Sequence, residues 1–237
     1  FFQSYVNMSP DQEIRVIDWL TMPEQCLSTI SSGTVFYDGL GTVEAVRARL
    51  RYYPWELWLY LLASQWRRIS QEEAFVGRTA HVGDEIGSRI IAARLVRDIM
   101  KLCFLMERTY APYIKWFGTS FNQLPCAPEV EPVLRRITSA ESYDVREAAL
   151  SEAYTIVARM HNALQITGPM QEEVSKFHDR PYLVIQADEF SEAIRDRITS
   201  DEVKALPPHI GAIDQLIDST DLLTNMNHRK HIDSLYG

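Results

Sequence analysis

The densest run of residues able to do acid–base or ionic chemistry is Gln71-Glu72-Glu73-Ala74-Phe75-Val76-Gly77-Arg78. It continues through His81 and Gly83-Asp84-Glu85 to Arg89. On a helical pattern Glu73 falls on the same side as Leu62 and Trp66, where a solvated glutamate is not expected. A carboxylate there needs a partner or a raised pKa, and Arg78 and Arg89 are the candidate partners. Read functionally, the run is a pocket floor. Glu73 is its candidate general base or metal-adjacent acid, and Glu72, Arg78, Asp84, Glu85 and Arg89 are its substrate-binding groups. Read structurally, it is a salt-bridge network closing the turn between two helices. A second candidate is Lys115, set between aromatics in Tyr110-Ala111-Pro112-Tyr113-Ile114-Lys115-Trp116. It suits a phosphate contact with Tyr113 or Trp116 stacking on a base, or equally a lysine stem lying over aromatic neighbours. His161 sits among apolar helix positions and reads as a core residue. Asp218-Ser219-Thr220-Asp221 resembles a metal loop, but helix capping explains it as well, and no metal ligands are assigned.

Several motifs are missing. Nucleotidyl transfer needs paired acids, often Gly-Ser followed by Asp-x-Asp, to hold divalent metals against triphosphate oxygens. The one Gly-Ser is Gly87-Ser88, inside an apolar helical stretch, and no Asp-x-Asp follows. Phosphate-binding glycine loops, His-Glu-x-x-His and Gly-x-Ser-x-Gly are absent too. A self-sufficient enzyme of a common kind is therefore not expected.

The net charge of −8 is unevenly spread. From Arg47 to Lys115 there are 12 basic and 7 acidic residues, and the remainder of the chain nets −13. Non-specific nucleic-acid binding is disfavoured by the global balance, while the cationic middle suits a phosphate or carboxylate ligand. No apolar run reaches membrane-spanning length. The three cysteines, Cys26, Cys103 and Cys126, have no metal or disulfide spacing, which points to free thiols in the cytoplasm. The chain opens Phe1-Phe2-Gln3 without an initiator Met, which reads as a piece of a longer protein.

These residues must be positioned mainly by helices. Residues 1–53 read as the edge of an α/β unit: a short strand within Glu13–Thr21 passing into a helix near Met22, a β-prone run Thr34–Asp38, a turn at Gly39 and Gly41, and a helix over Val43–Leu50. From Pro54 the pattern is helical and buried on most sides, continuing to about Val76 with Gly77 as its stop. Roughly Asp84 to Arg108 is a central helix. At about 100° per residue its Arg94, Arg97, Asp98, Lys101 and Arg108 fall within one cationic wedge. Ala111–Leu124 reads as a third helix, Pro125–Pro128 as a loop and internal boundary, and Val130–Ser139 and Tyr143–Gln165 as further helices. Tyr182–Ile185 reads as an isolated extended segment, followed by helices over Phe190–Ile198 and Ile213–Ile217. The fold class is mainly α.

The stretch from Tyr52-Tyr53-Pro54 through Gln65-Trp66, Gln71–Arg78, Gly83-Asp84-Glu85, Ala92–Arg97 and Tyr110–Trp116 resembles an uncharacterised family. His161-Asn162, Arg180-Pro181 and Asp214–Asp221 extend the resemblance. In that family a helical domain of unknown function follows a nucleotidyltransferase-like domain. The resemblance implies that residues 1–53 are the α/β remnant of the upstream domain and 54–237 a helical substrate-binding domain. Magnesium and a nucleoside triphosphate, bound with the upstream domain, are the implied cofactors, with a small-molecule acceptor as partner. In the related two-domain antibiotic nucleotidyltransferases, the helical bundle closes the acceptor side of the cleft and can supply a carboxylate base. The alternative is a non-catalytic helical interaction or regulatory module.

Overall fold

The computed structural model describes residues 2–6, 9, 11–225 and 231–236; Phe1, at the chain's opening, lies outside them. Four helices come first: α1 (Phe2–Val6), α2 (Val16–Thr21), α3 (Glu24–Ser31) and α4 (Thr42–Arg49). Then come α5 (Trp55–Glu72), α6 (Phe75–His81), α7 (Glu85–Met106), α8 (Phe117–Phe121), α9 (Ala127–Ser139) and α10 (Tyr143–Ala163). A two-stranded antiparallel ribbon pairs β1 (Ser175–Lys176) with β2 (Leu183–Val184), Ser175 opposite Val184. Four short helices follow, α11 (Ala187–Arg195), α12 (Asp201–Lys204), α13 (Ile213–Leu216) and α14 (Thr220–Thr224), and a 3-10 turn lies at Ile232–Leu235. The protein is mainly helical, and among the described residues no helix is long and apolar enough to cross a membrane.

Helix α5 forms the axis of the core. Leu57 to Trp66 are buried without interruption, so the helix has neighbours all round: α7 and α11 pack along it. Its Trp58 Nε1–H donates to the Leu105 carbonyl of α7 at 2.8 Å. Trp66 stacks on Phe190 of α11 with ring centroids 4.2 Å apart, and His161 of α10 meets both rings edge-on. Burial lowers the His161 pKa to about 4, as a histidine embedded in a core requires.

The start of α7 is set locally. Gly83 takes φ +78°, and the Asp84 side chain accepts from Gly87 N–H at 2.8 Å. This is an N-cap with an acid at the positive end of the helix dipole.

Several expected elements differ. Thr34–Asp38 is not a strand. Nothing pairs with it among the described residues, and Phe36 is 96 % and Leu40 92 % exposed. The described part of residues 1–53 contains helices and turns and no strand, so its expected α/β edge is not what forms. Trp19, Leu27, Val46 and Leu50 instead join the apolar core of the later helices. Ala111–Leu124 holds a 3-10 turn, Ile114–Trp116, and the five-residue α8 rather than one long helix. Pro112 is the physical cause: it keeps Ala111 out of the helical region. The Pro125–Pro128 loop is shorter than expected, because α9 begins at Ala127 with Pro128 in its first turn, where the missing N–H costs nothing. Tyr182–Ile185 is extended but not isolated, since β2 pairs with β1. All three cysteines are free thiols, Cys26 and Cys103 buried and Cys126 half-buried.

Gly77 is not a helix stop; it lies within α6 at a close approach. A Cβ there would sit 2.4 Å from Tyr182 Cδ1 and 2.7 Å from the Tyr143 hydroxyl. Overpacking of this kind costs about 1–3 kcal/mol, against about 1 kcal/mol of helix propensity gained by alanine. Gly77→Ala therefore lowers the thermal midpoint; an unchanged or raised midpoint in a melting curve would contradict the close approach.

Candidate functional site

Helix α7 carries Arg94, Arg97, Asp98 and Lys101 on one face, three or four residues apart. Arg68 of α5 joins them, and the chain over Asp214–Asp218 crosses in front. Together they line a cavity of about 320 Å³. A buried amide relay fixes the crossing segment. Gln215 Nε2–H donates to Gln65 Oε1 at 3.0 Å and to the Leu61 carbonyl at 3.0 Å, while Gln215 Oε1 accepts from Ala212 N–H at 3.0 Å. Gln65 Nε2–H in turn donates to Asp98, to its carbonyl at 3.0 Å and to Oδ1 at 3.2 Å. Every link is buried and satisfied, so the relay locks the C-terminal segment onto α5 and α7.

The cavity's charges are arranged in pairs. Arg94 pairs with Glu72 at 2.5 Å, Arg97 with Asp218 at 3.1 Å and Arg68 with Asp98 at 3.3 Å. Lys101 Nζ donates to the Asp214 carbonyl. Asp218 is largely exposed, so its hold on Arg97 is a solvated contact of small strength. The Nε of Arg97 is buried and has no hydrogen-bond partner among the described residues. Burial lowers the Lys101 pKa, and Arg97 lowers it further, against Asp214, Glu24 and Asp98. Burial raises the Glu72 carboxyl, with Arg94 opposing.

Glu24, at the start of α3, lines a smaller cavity that adjoins this one. Its N–H donates to Asp214 Oδ2 at 2.8 Å, and its Oε2 accepts from Ala111 N–H at 2.7 Å. Burial first and Asp214 second push its carboxyl up to about 8. The wall of the larger cavity thus holds three arginines and a lysine against Asp98, Asp214 and Asp218. That constellation suits an oxyanion better than a cation.

The structure separates the residues picked out from the sequence. Glu72 reaches the cavity through Arg94. Glu73 is buried, as its helical position implied, but its oxygens accept from backbone rather than from Arg78 or Arg89. Ile185 N–H lies at 2.9 Å and Ala187 N–H at 3.1 Å, so Glu73 caps α11. Burial pushes its carboxyl up to about 7 against those two donors. Arg78 is exposed over the Phe75 ring. Asp84 is the α7 N-cap. Glu85 accepts from Arg89 at 2.8 Å and from the buried Arg146 at 2.9 Å, in a network tying α7 to α10. Lys115 is exposed with its ammonium 5.1 Å from the Trp116 ring centre. Arg68, Arg97, Lys101, Glu24 and Asp214 carry the site and were not assigned to it from sequence; the cationic wedge of α7 was the one signal that pointed there. Among the described residues no three of His, Cys, Asp and Glu lie together as a metal would need.

No curated protein matches the chain, and no solved structure does. Residues 19–117 match the sequence model of a family described as a domain of unknown function (DUF4037), a stretch that contains Glu24, Arg68, Arg94, Arg97 and Lys101 and ends before Asp214.

Proposed function

We propose that this chain is the helical substrate-binding part of a nucleotidyltransferase-like protein, and that the cavity between α5, α7 and residues 214–218 holds the anionic group of a small-molecule substrate. The observation that carries the reading is the convergence of Arg68, Arg94, Arg97 and Lys101 on one cavity, with a buried Arg97 Nε that has no partner among the described residues. Arginine supplies forked donors that match phosphate oxygens. In this reading the catalytic acids, the magnesium and the triphosphate belong to an upstream domain. This chain's task is to bind and orient a substrate beside them.

The test is calorimetry and thermal shift with inorganic phosphate, pyrophosphate and nucleoside triphosphates, with and without magnesium. Phosphate compounds raise the melting temperature of the chain. Arg97→Ala weakens their binding by about tenfold or more, since a charge-assisted hydrogen bond is lost. No shift with any phosphate compound would overturn the assignment. A second reading, a non-catalytic helical interaction module, draws on Phe36, Tyr37 and Leu40, all nearly fully exposed within one loop. It gains if phosphate compounds fail to bind while charge substitution of Tyr37 alters self-association.

A further inference from the structure

The cation-lined cavity adjoins a smaller one of about 50 Å³. Both have Arg97, Lys101, Asp214, Ile217 and Asp218 in their walls, so these residues form a neck between them. Beyond the neck the walls are largely apolar, with Pro112, Ile114, Phe117 and Leu223, and Glu24 is the acid among them. The size is informative. A cavity that takes up benzene measures about 150 Å³, so this space admits a small group of a few atoms and no nucleobase ring.

The charge at the neck is informative too. Arg97 and Lys101 stand there with Asp214 and Asp218, two cations with two acids, so the neck carries no net formal charge. A neutral hydroxyl passes such a neck without leaving an unpaired charge inside it. The groups that face Glu24 are Asp214, Lys101, the Ala111 N–H, and the rings of Tyr52, Tyr53 and Tyr110. Among them Glu24 is mostly protonated at neutral pH, offering one donor and an acceptor, which is the pairing a hydroxyl needs.

We propose that the two cavities form one site for a short phosphorylated alcohol, its phosphate among Arg94, Arg97 and Lys101 and its hydroxyl on Glu24. This rests on the reading of the larger cavity as an anion site. It names the substrate held there as the hydroxyl-bearing acceptor rather than the nucleotide.

Calorimetry on the chain with glycerol 3-phosphate and inorganic phosphate as probes tests it. Glycerol 3-phosphate binds about tenfold more tightly than inorganic phosphate, the increment expected of one buried hydrogen-bonded arm. Leu223→Trp, which fills the smaller cavity from a half-buried position, removes that preference and leaves inorganic phosphate binding unchanged. Ile114→Trp, at an exposed position on the same wall, is the second variant should the first unfold. Equal affinities for the two probes in the unmodified chain, or a preference that survives a filled cavity, overturns the proposal. Binding of neither probe overturns the anion site itself, and binding of inorganic phosphate alone overturns only the acceptor arm.

Discussion

Glu73→Ala destabilises the protein by about 3 kcal/mol, because two buried backbone N–H groups at the head of α11 lose their acceptor. The carboxylate reaches Ile185 and Ala187 from α5's end, 112 and 114 residues away in sequence, so the loss also loosens α11 from the helix it packs along. A pH dependence accompanies it. Burial raises the folded-state pKa to about 7, above the usual carboxylate value, so the folded chain holds a proton that the unfolded chain releases. The contribution is fully present below the unfolded pKa of about 4.3 and is lost as pH rises to about 7, a change on the order of 3 kcal/mol. Glu73→Gln removes this slope. Glu24, raised to about 8 by burial and Asp214, has the same sign and leaves a residual decline that extends further up in pH. Urea denaturation at pH 5 and pH 8 reads both effects. A variant that keeps the full decline between those values would show that Glu73 is not the titrating group.

The contrast between Glu73 and Glu24 shows what the sequence could carry. Glu73 sits about two helical turns from Trp66 and three from Leu62, so its burial was legible from periodicity alone. Its partners were not, because backbone N–H groups are the same at every residue and leave no mark in composition. Glu24 gave no local signal. What makes it part of a site is Asp214, 190 residues later, and no spacing rule reaches that far. Arg94, Arg97, Asp98 and Lys101 of the cationic wedge lie within one helix, where a 3.6-residue period turns sequence directly into a face, and so their geometry was readable in advance; Arg108, expected beside them, lies past the end of α7 at φ +50° and sits over the Tyr52 and Trp58 rings instead. The use of that face was not readable, since the wall that closes the cavity comes from the chain's far end. Gly77 and Thr34–Asp38 mark the opposite failure. A glycine signals either a break or a close approach, and a β-prone run makes a strand only where a neighbour offers hydrogen bonds. Local composition distinguishes neither case.

Arg146→Ala lowers stability by about 2–5 kcal/mol. The guanidinium is 1 % exposed, with Nη2 2.9 Å from both Glu85 oxygens and 3.1 Å from Ser88 Oγ, and Nη1 3.3 Å from the Ala140 carbonyl. These contacts join α7, α10 and the end of α9 at one point. The charge is not the main source of the loss. The Glu85 side chain is 44 % exposed and keeps Arg89 at 2.8 Å, so water and Arg89 take over when Arg146 is gone. What water cannot repair is the space left by the buried stem and the orphaned Ala140 carbonyl. Arg146→Met, which restores most of the stem's volume without its charge, therefore recovers more than half of the stability lost in Arg146→Ala. Glu85→Gln moves the denaturation midpoint little. The reverse ranking, with Met as damaging as Ala and Glu85→Gln nearly as severe, would assign the junction's stability to the ion pair instead of to packing.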